Sequence, residues 1–203
     1  NFFSKLVSKK SRGDVKQLPY HTPKYEIVNG VSFYQTEDGN KYPLEVFGKH
    51  NLQNLNGSRL VLEEIGVNSK MFFEAIQTFK GASKRLELVK RTNDSVVYKD
   101  FAHSPSKLKA TTKALKDQFP DRKLVACMEL HTFSSLNKDF LNQYKNSMQE
   151  ADKAIVYFSP HTLEHKKLEM ISEEEVRKAF ASDNVQVYTS SDKIQEDLRK
   201  MNW

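Results

Sequence analysis

The stretch Lys123-Leu124-Val125-Ala126-Cys127-Met128-Glu129 decides the fold. It is short and apolar without alternation, the pattern of a strand buried on both faces of a parallel sheet. Runs of the same kind recur at 154–159 and 185–189. Helical spacing fills the gaps. Phe140, Leu141, Tyr144 and Met148 form one stripe, and Ser172 with Glu175 has the spacing of a capping box for another helix. A last helix starts at Ser191 with Ile194, Leu198 and Met201 facing inward. Upstream, Pro105 suits the first turn of a helix ending before Pro120, with Leu108, Leu115 and Phe119 inward. This alternation predicts an α/β, Rossmann-like domain whose mostly parallel sheet is covered on both faces by right-handed crossovers. Cys127 is expected to be a small buried hydrophobe.

Towards the N-terminus, 86–91 and 96–99 read as a hairpin closed by Asn93-Asp94. Gly81-Ala82-Ser83 ends a helix, and a domain boundary is placed there, dividing the chain into 1–82 and 83–203. In the first part, Leu52, Leu55, Val61, Leu62 and Ile65 form a helical stripe closed by Gly66. Ser69 caps the next helix, whose buried face is Phe72, Phe73, Ile76 and Phe79. Three strand-like runs, at 25–28, 31–34 and 42–47, are separated by Asn29-Gly30 and Asp38-Gly39, so a small antiparallel meander is expected. Residues 1–23 read as an exposed connection or a frayed helix, and the first residue, Asn1 rather than Met, suggests a fragment.

The chain has 203 residues, 38% of them hydrophobic and 29% charged, which is globular rather than disordered composition. A net charge of +6 is spread through the sequence, so it favours small anionic ligands over nucleic acid. One cysteine excludes a disulfide framework. No apolar run approaches the ~20 residues needed to span a bilayer, so no membrane partner is expected. His161 and His165 are four apart, but no third metal ligand stands near them and a solvated loop is the expected reading.

Three polar groups invite a chemical reading. His50, Asn51 and Asn54 lie where a strand yields to a helix. Spacing alone favours capping there, yet an asparagine amide can also pair with both N6 and N7 of adenine. Arg85 flanks a strand, as a surface arginine or as a phosphate contact. Asp100 closes the hairpin in Asp100-Phe101-Ala102-His103-Ser104-Pro105, as a turn residue or as a ribose-binding carboxylate.

In combination these segments resemble the Mur ligases, ATP-driven enzymes that join amino acids or peptides to UDP-muramyl precursors of peptidoglycan. Gly48, His50, Asn51 and Asn54 match the family's G-x-H-N-x-x-N segment, and Phe79 through Glu87 matches F-x-G-x-x-[RH]-R-[FL]-E, with Lys84 replacing the frequent first arginine. The segment from Asp100 matches D-[FY]-[AG]-H-x-P; Lys99 stands where an additional aspartate is common and Ser104 where a second histidine is common. The resemblance implies that 1–82 is the tail of a central ATPase domain and 83–203 the C-terminal domain. It implies ATP contacts from His50, Asn51, Asn54, Arg85 and Asp100, and places His103 near the reacting phosphate. His131, Ser134 and Ser135 become substrate contacts in a loop the family uses on that side, with a polar loop and helix cap as the equal alternative.

The implied reaction activates the carboxylate of UDP-N-acetylmuramate as an acyl phosphate, which an amine attacks, with Mg²⁺ bridging phosphates. Its metal ligands and its G-x-x-x-x-G-K-[ST] loop are not in this sequence and are expected upstream. Arg85-Leu86-Glu87 and Asp100-Phe101-Ala102-His103 look like the recycling branch, which attaches L-alanyl-γ-D-glutamyl-meso-diaminopimelate. The L-alanine-adding ligase is the alternative, and a non-catalytic nucleotide-binding module is a third reading. A cytoplasmic bacterial monomer is expected.

Overall fold

The computed structural model describes residues 16–201. The expectation for residues 1–15 lies outside the described residues, and 16–24 form no regular element. Strands β1 (Tyr25–Val28), β2 (Val31–Gln35) and β3 (Lys41–Leu44) form the antiparallel meander. Asn29 and Gly30 have φ of 51° and 74°, the left-handed pair that a two-residue hairpin turn requires. Helices α1 (Lys49–Glu64) and α2 (Ser69–Ile76) pack on one face of the meander. Phe73 lies parallel to Tyr42 at 4.4 Å and meets the edge of Tyr34 at 5.0 Å.

Several details differ from the sequence reading. Along α1 only Leu52 and Leu55 are buried; Leu62 is partly buried against the same core, whereas Val61 and Ile65 face solvent on the other side of the helix. Asn68, not Ser69, caps α2, accepting from the Met71 amide at 2.9 Å. Phe79 falls beyond the end of α2 and is exposed.

The second half begins with the hairpin β4 (Glu87–Arg91) and β5 (Val96–Lys99), a separate two-stranded sheet. Helix α3 (Pro105–Gln118) leads to a three-stranded parallel sheet in the order β6 (Val125–Leu130), β7 (Lys153–Phe158), β8 (Val185–Tyr188). Around it lie α4 (Lys138–Leu141), α5 (Pro160–His165), α6 (Glu173–Phe180) and α7 (Ser191–Lys200). Met128, Leu130, Val156, Phe158, Val185 and Val187 face one main core, where Tyr144 stacks on Phe180 at 5.0 Å. The Ser172–Glu175 capping box is present at the start of α6.

The opposite face of the sheet is covered only in part. Ile155 on the central strand is buried, but its neighbours Cys127 and Gln186 are exposed, and α7 contributes no fully buried residue. Cys127 is therefore not the buried hydrophobe expected of it, because β6 is an edge strand. Partial burial against the sheet still pushes its thiol pKa up, which keeps the thiol protonated at neutral pH. The stripe 140–148 is not one helix. It breaks into α4, a single 3-10 turn (Asn142–Tyr144) and a bend at Asn146, whose φ is 57°. Pro160 does not disturb a helix; it occupies the first turn of α5, so His161 and His165 lie on a helix rather than in a loop.

The halves meet through a small core of Phe47, Leu86 and Ala114, flanked by Tyr98 and Leu115. Gly48 sets how closely they approach. Its φ is 87°, and a Cβ built there would stand 2.7 Å from the Ala114 Cβ.

Candidate functional site

Helix α1 starts immediately after Gly48, so His50 and Asn51 occupy its first turn, where backbone N–H groups have no intrahelical partner. Asn51 does not cap the helix with its side chain. Its Nδ2 donates to the Phe47 carbonyl at 2.9 Å, leaving one amide hydrogen and Oδ1 without a partner among the described residues. Asn54 is exposed one turn further along.

Facing this turn is the segment that enters the hairpin. Lys84 and Leu86 both adopt left-handed backbone, with φ of 56° and 49°. Two carboxylates hold this strained stretch. Glu87 accepts from the Ser83 hydroxyl at 3.1 Å and the Lys84 amide at 2.6 Å, and these bonds lower its pKa. Asp100 accepts from the Leu86 amide at 2.7 Å through Oδ2 alone. The Phe101 amide donates to the Lys84 carbonyl at 2.8 Å. Arg85 stands between these anchors, exposed and without an ion pair among the described residues.

The two sides are within electrostatic reach of each other. Burial lowers the His50 pKa, the Asp100 charge raises it, and the Arg85 charge lowers it further. Phe47, whose carbonyl holds Asn51, packs in one cluster with Leu86, whose amide is held by Asp100, so the two segments adjoin there. Asp100 Oδ2 supports the Leu86 turn, and Oδ1 has no hydrogen-bond partner among the described residues.

A second cluster lies beyond Asp100. His103 Nδ1 is 3.0 Å from the Phe101 carbonyl, and the Phe101 ring lies 4.9 Å from the His103 ring and 6.0 Å from that of His131. His131 opens the loop at the carboxyl end of β6, where open α/β sheets place ligands. Ser135 does not face outward. It is 1% exposed, and its hydroxyl accepts from the Thr132 amide at 3.0 Å and donates to the Thr132 carbonyl at 3.1 Å. Ser135 therefore shapes the loop, while Ser134 is exposed within it. In the same loop the exposed Phe133 ring carries the Lys166 ammonium 4.0 Å from its centroid.

Sequence reasoning missed two participants. Tyr144 reads as a core residue, but its hydroxyl donates to the His103 carbonyl at 2.6 Å and anchors that segment from below. Phe101 is the ring that joins His103 to His131; its 55% exposure beside two histidines distinguishes it from a core aromatic. Among the described residues no group of three or more His, Cys, Asp or Glu side chains is placed to hold a metal ion.

Residues 84–202 match the family described as "Mur ligase, glutamate ligase domain". The chain belongs to the Mur ligase family. This Mur ligase chain is 41% identical over 113 residues to a UDP-N-acetylmuramate–L-alanine ligase of Caldicellulosiruptor bescii, a match covering 56% of the chain and 24% of that protein. Its fold resembles a solved UDP-N-acetylmuramate–alanine ligase of Thermotoga maritima, with TM-score 0.58, 18% identity, and coverage of 91% of this chain and 47% of that one. It also resembles a murein peptide ligase of Psychrobacter arcticus, with TM-score 0.52, 23% identity, and coverage of 87% and 38%. The Mur ligase chain thus spans less than half the length of each of these proteins.

Proposed function

We propose that this chain is the rear part of an ATP-dependent peptidoglycan ligase: the end of a central ATPase domain (1–82) and a C-terminal domain (83–203). The observation that carries the reading is the packing of Phe47, whose carbonyl holds Asn51, against Leu86, whose amide is held by Asp100, with the charges of Arg85 and Asp100 acting on His50. These groups suit one adenosine phosphate. Asn51 offers a donor and an acceptor to an adenine edge, Asp100 offers one carboxylate oxygen to a ribose hydroxyl, and Arg85 offers a planar fork to phosphate.

Such a nucleotide supplies the phosphoryl group that activates a carboxylate. The residues here bind and orient it, bringing the reactants together rather than exchanging bonds themselves. His103, supported by Tyr144 and flanked by Phe101 and His131, sits at the substrate side, with Ser134 exposed in the neighbouring loop. The sugar substrate is UDP-N-acetylmuramate, and the incoming amine belongs to L-alanyl-γ-D-glutamyl-meso-diaminopimelate. Asp100-Phe101-Ala102-His103 and the lack of a basic P-H-R-Y-S-R segment at 130–135 support the peptide acceptor. L-Alanine is the second reading, favoured by the names of the Caldicellulosiruptor and Thermotoga relatives. Because the sequence carries no G-x-x-x-x-G-K-[ST] loop to cradle the phosphates, the chain by itself is expected to show no ATP turnover.

The test is Asp100→Asn in the complete enzyme. The asparagine carbonyl can still accept from the Leu86 amide, so the turn survives while the carboxylate charge is lost. A rise of roughly tenfold in KM for ATP is expected, the size of one lost charge-assisted hydrogen bond. An unchanged KM removes Asp100 from the nucleotide site. Offering tripeptide against L-alanine as acceptor separates the two branches.

A further inference from the structure

Gln118, the last residue of α3, is 3% exposed and 86 residues away in sequence from the serine it touches. Its Oε1 accepts from the Ser32 hydroxyl at 2.8 Å, and its Nε2 donates to the Gly30 carbonyl at 2.6 Å. Ser32 itself is fully buried. The amide orientation is fixed by the partners, since a carbonyl can only accept. Next to it, the Phe119 ring seats the β1–β2 turn: a Cβ at Gly30 would stand 3.2 Å from Phe119 Cε1. Phe119 also meets Phe47 and Tyr98, each at 6.2 Å between centroids.

These bonds matter because of where α3 runs. Its first residues follow directly on Asp100–Ser104, its middle touches Gly48 at Ala114, and its end holds the meander through Gln118. The contact at Gly48, with Phe47 packed beside it, is a fulcrum; the bonds at Gln118, with the Phe119 ring next to them, resist rotation about it. From Ala114 back to Pro105 the helix runs ~14 Å, so rocking by about 10° moves that end by about 2 Å. A cleft of about 810 Å³ beside the contact, lined by Val31, Glu45, Lys80 and Tyr98 among others, leaves room for such a motion. Displacements of this size are costly where several groups must grip one ligand.

We propose that Gln118 is a positioning residue: its paired bonds to the β1–β2 hairpin, one at the turn and one on β2, set the angle at which the Arg85–Asp100 side faces the His50–Asn51 side. The functional half of the proposal rests on the nucleotide reading above.

The test uses the whole 203-residue chain with Cys127→Ser and spin labels at Glu74→Cys and Lys178→Cys, both on exposed helix faces. Distances are read without nucleotide, and ADP affinity is read separately from amide shifts in an NMR titration. Gln118→Leu keeps the volume and removes both bonds. It is expected to broaden the distance distribution and weaken ADP binding roughly tenfold, with unfolding still cooperative. Ser32→Ala, which removes one bond and its buried hydroxyl together, is expected to give the same changes at smaller size, and it carries the test if Gln118→Leu does not fold. An unchanged distance distribution, or ADP affinity within about twofold of the parent, overturns the proposal. A parent chain that binds no ADP defeats the nucleotide reading instead, and broadening in that chain would still uphold Gln118 as the residue that sets the angle.

Discussion

His50 is the residue at which the two sides of the candidate site feel each other. Burial lowers its pKa below the ordinary 6.5, outweighing the pull of the Asp100 charge. The folded chain therefore keeps the imidazole neutral, and the unfolded chain takes up the proton first as pH falls. Stability from this source is complete above pH 6.5 and declines as the pH drops below it towards the folded value. Urea unfolding between about pH 5 and pH 7.5 is expected to show that decline, and His50→Gln is expected to flatten it. An identical slope in the variant would place His50 in solvent. Tyr144 makes the second residue-scale case. Burial pushes its pKa to about 12, so the hydroxyl remains a donor to the His103 carbonyl. Tyr144→Phe leaves that carbonyl without its protein donor and is expected to cost about 1 kcal/mol in chemical denaturation, with the NMR signals of His103 shifting most. Neither role was visible in the sequence. Tyr144 fits a helical stripe as well as any core residue, and nothing local says that its hydroxyl reaches a backbone 41 positions away.

At the scale of elements, what is local in origin was legible and what depends on neighbours was not. Asn29-Gly30, the Ser172–Glu175 box and the proline at the start of α3 each act within four residues, and each appears as expected. The exposed ends of α1, the open outer face of β6 and the split at 142–146 depend on how much surface the next element covers, which no spacing rule contains. The junction of α1 with α3 is of the same kind. Gly48 reads as part of a motif, whereas its physical requirement is the approach of Ala114 together with a left-handed φ of 87°. Gly48→Ala violates both conditions and is expected to destabilise the chain by about 2 kcal/mol or more, measured by thermal unfolding. A neutral effect would mean that the two helices separate without penalty and that their contact does not define the site.

Across the whole molecule, two units with separate cores share one short seam, and the charges of Arg85 and Asp100 on one side of it act on His50 on the other. Motif resemblance singled these residues out as candidates, but their spacing said nothing of their mutual placement. His50 and Asp100 lie 50 positions apart, and only the packing of Phe47, Leu86 and Ala114 brings them together. The sequence also hid the bond by which Asp100 holds the Leu86 amide and the inward use of the Ser135 hydroxyl. The measurement that tests the central claim most directly is a titration of the isotope-labelled chain with ADP, followed by amide NMR. A single site across the seam predicts that Asn51, Arg85 and Asp100 shift together along one binding curve. Shifts confined to one side of the seam, or curves with different midpoints, would contradict it.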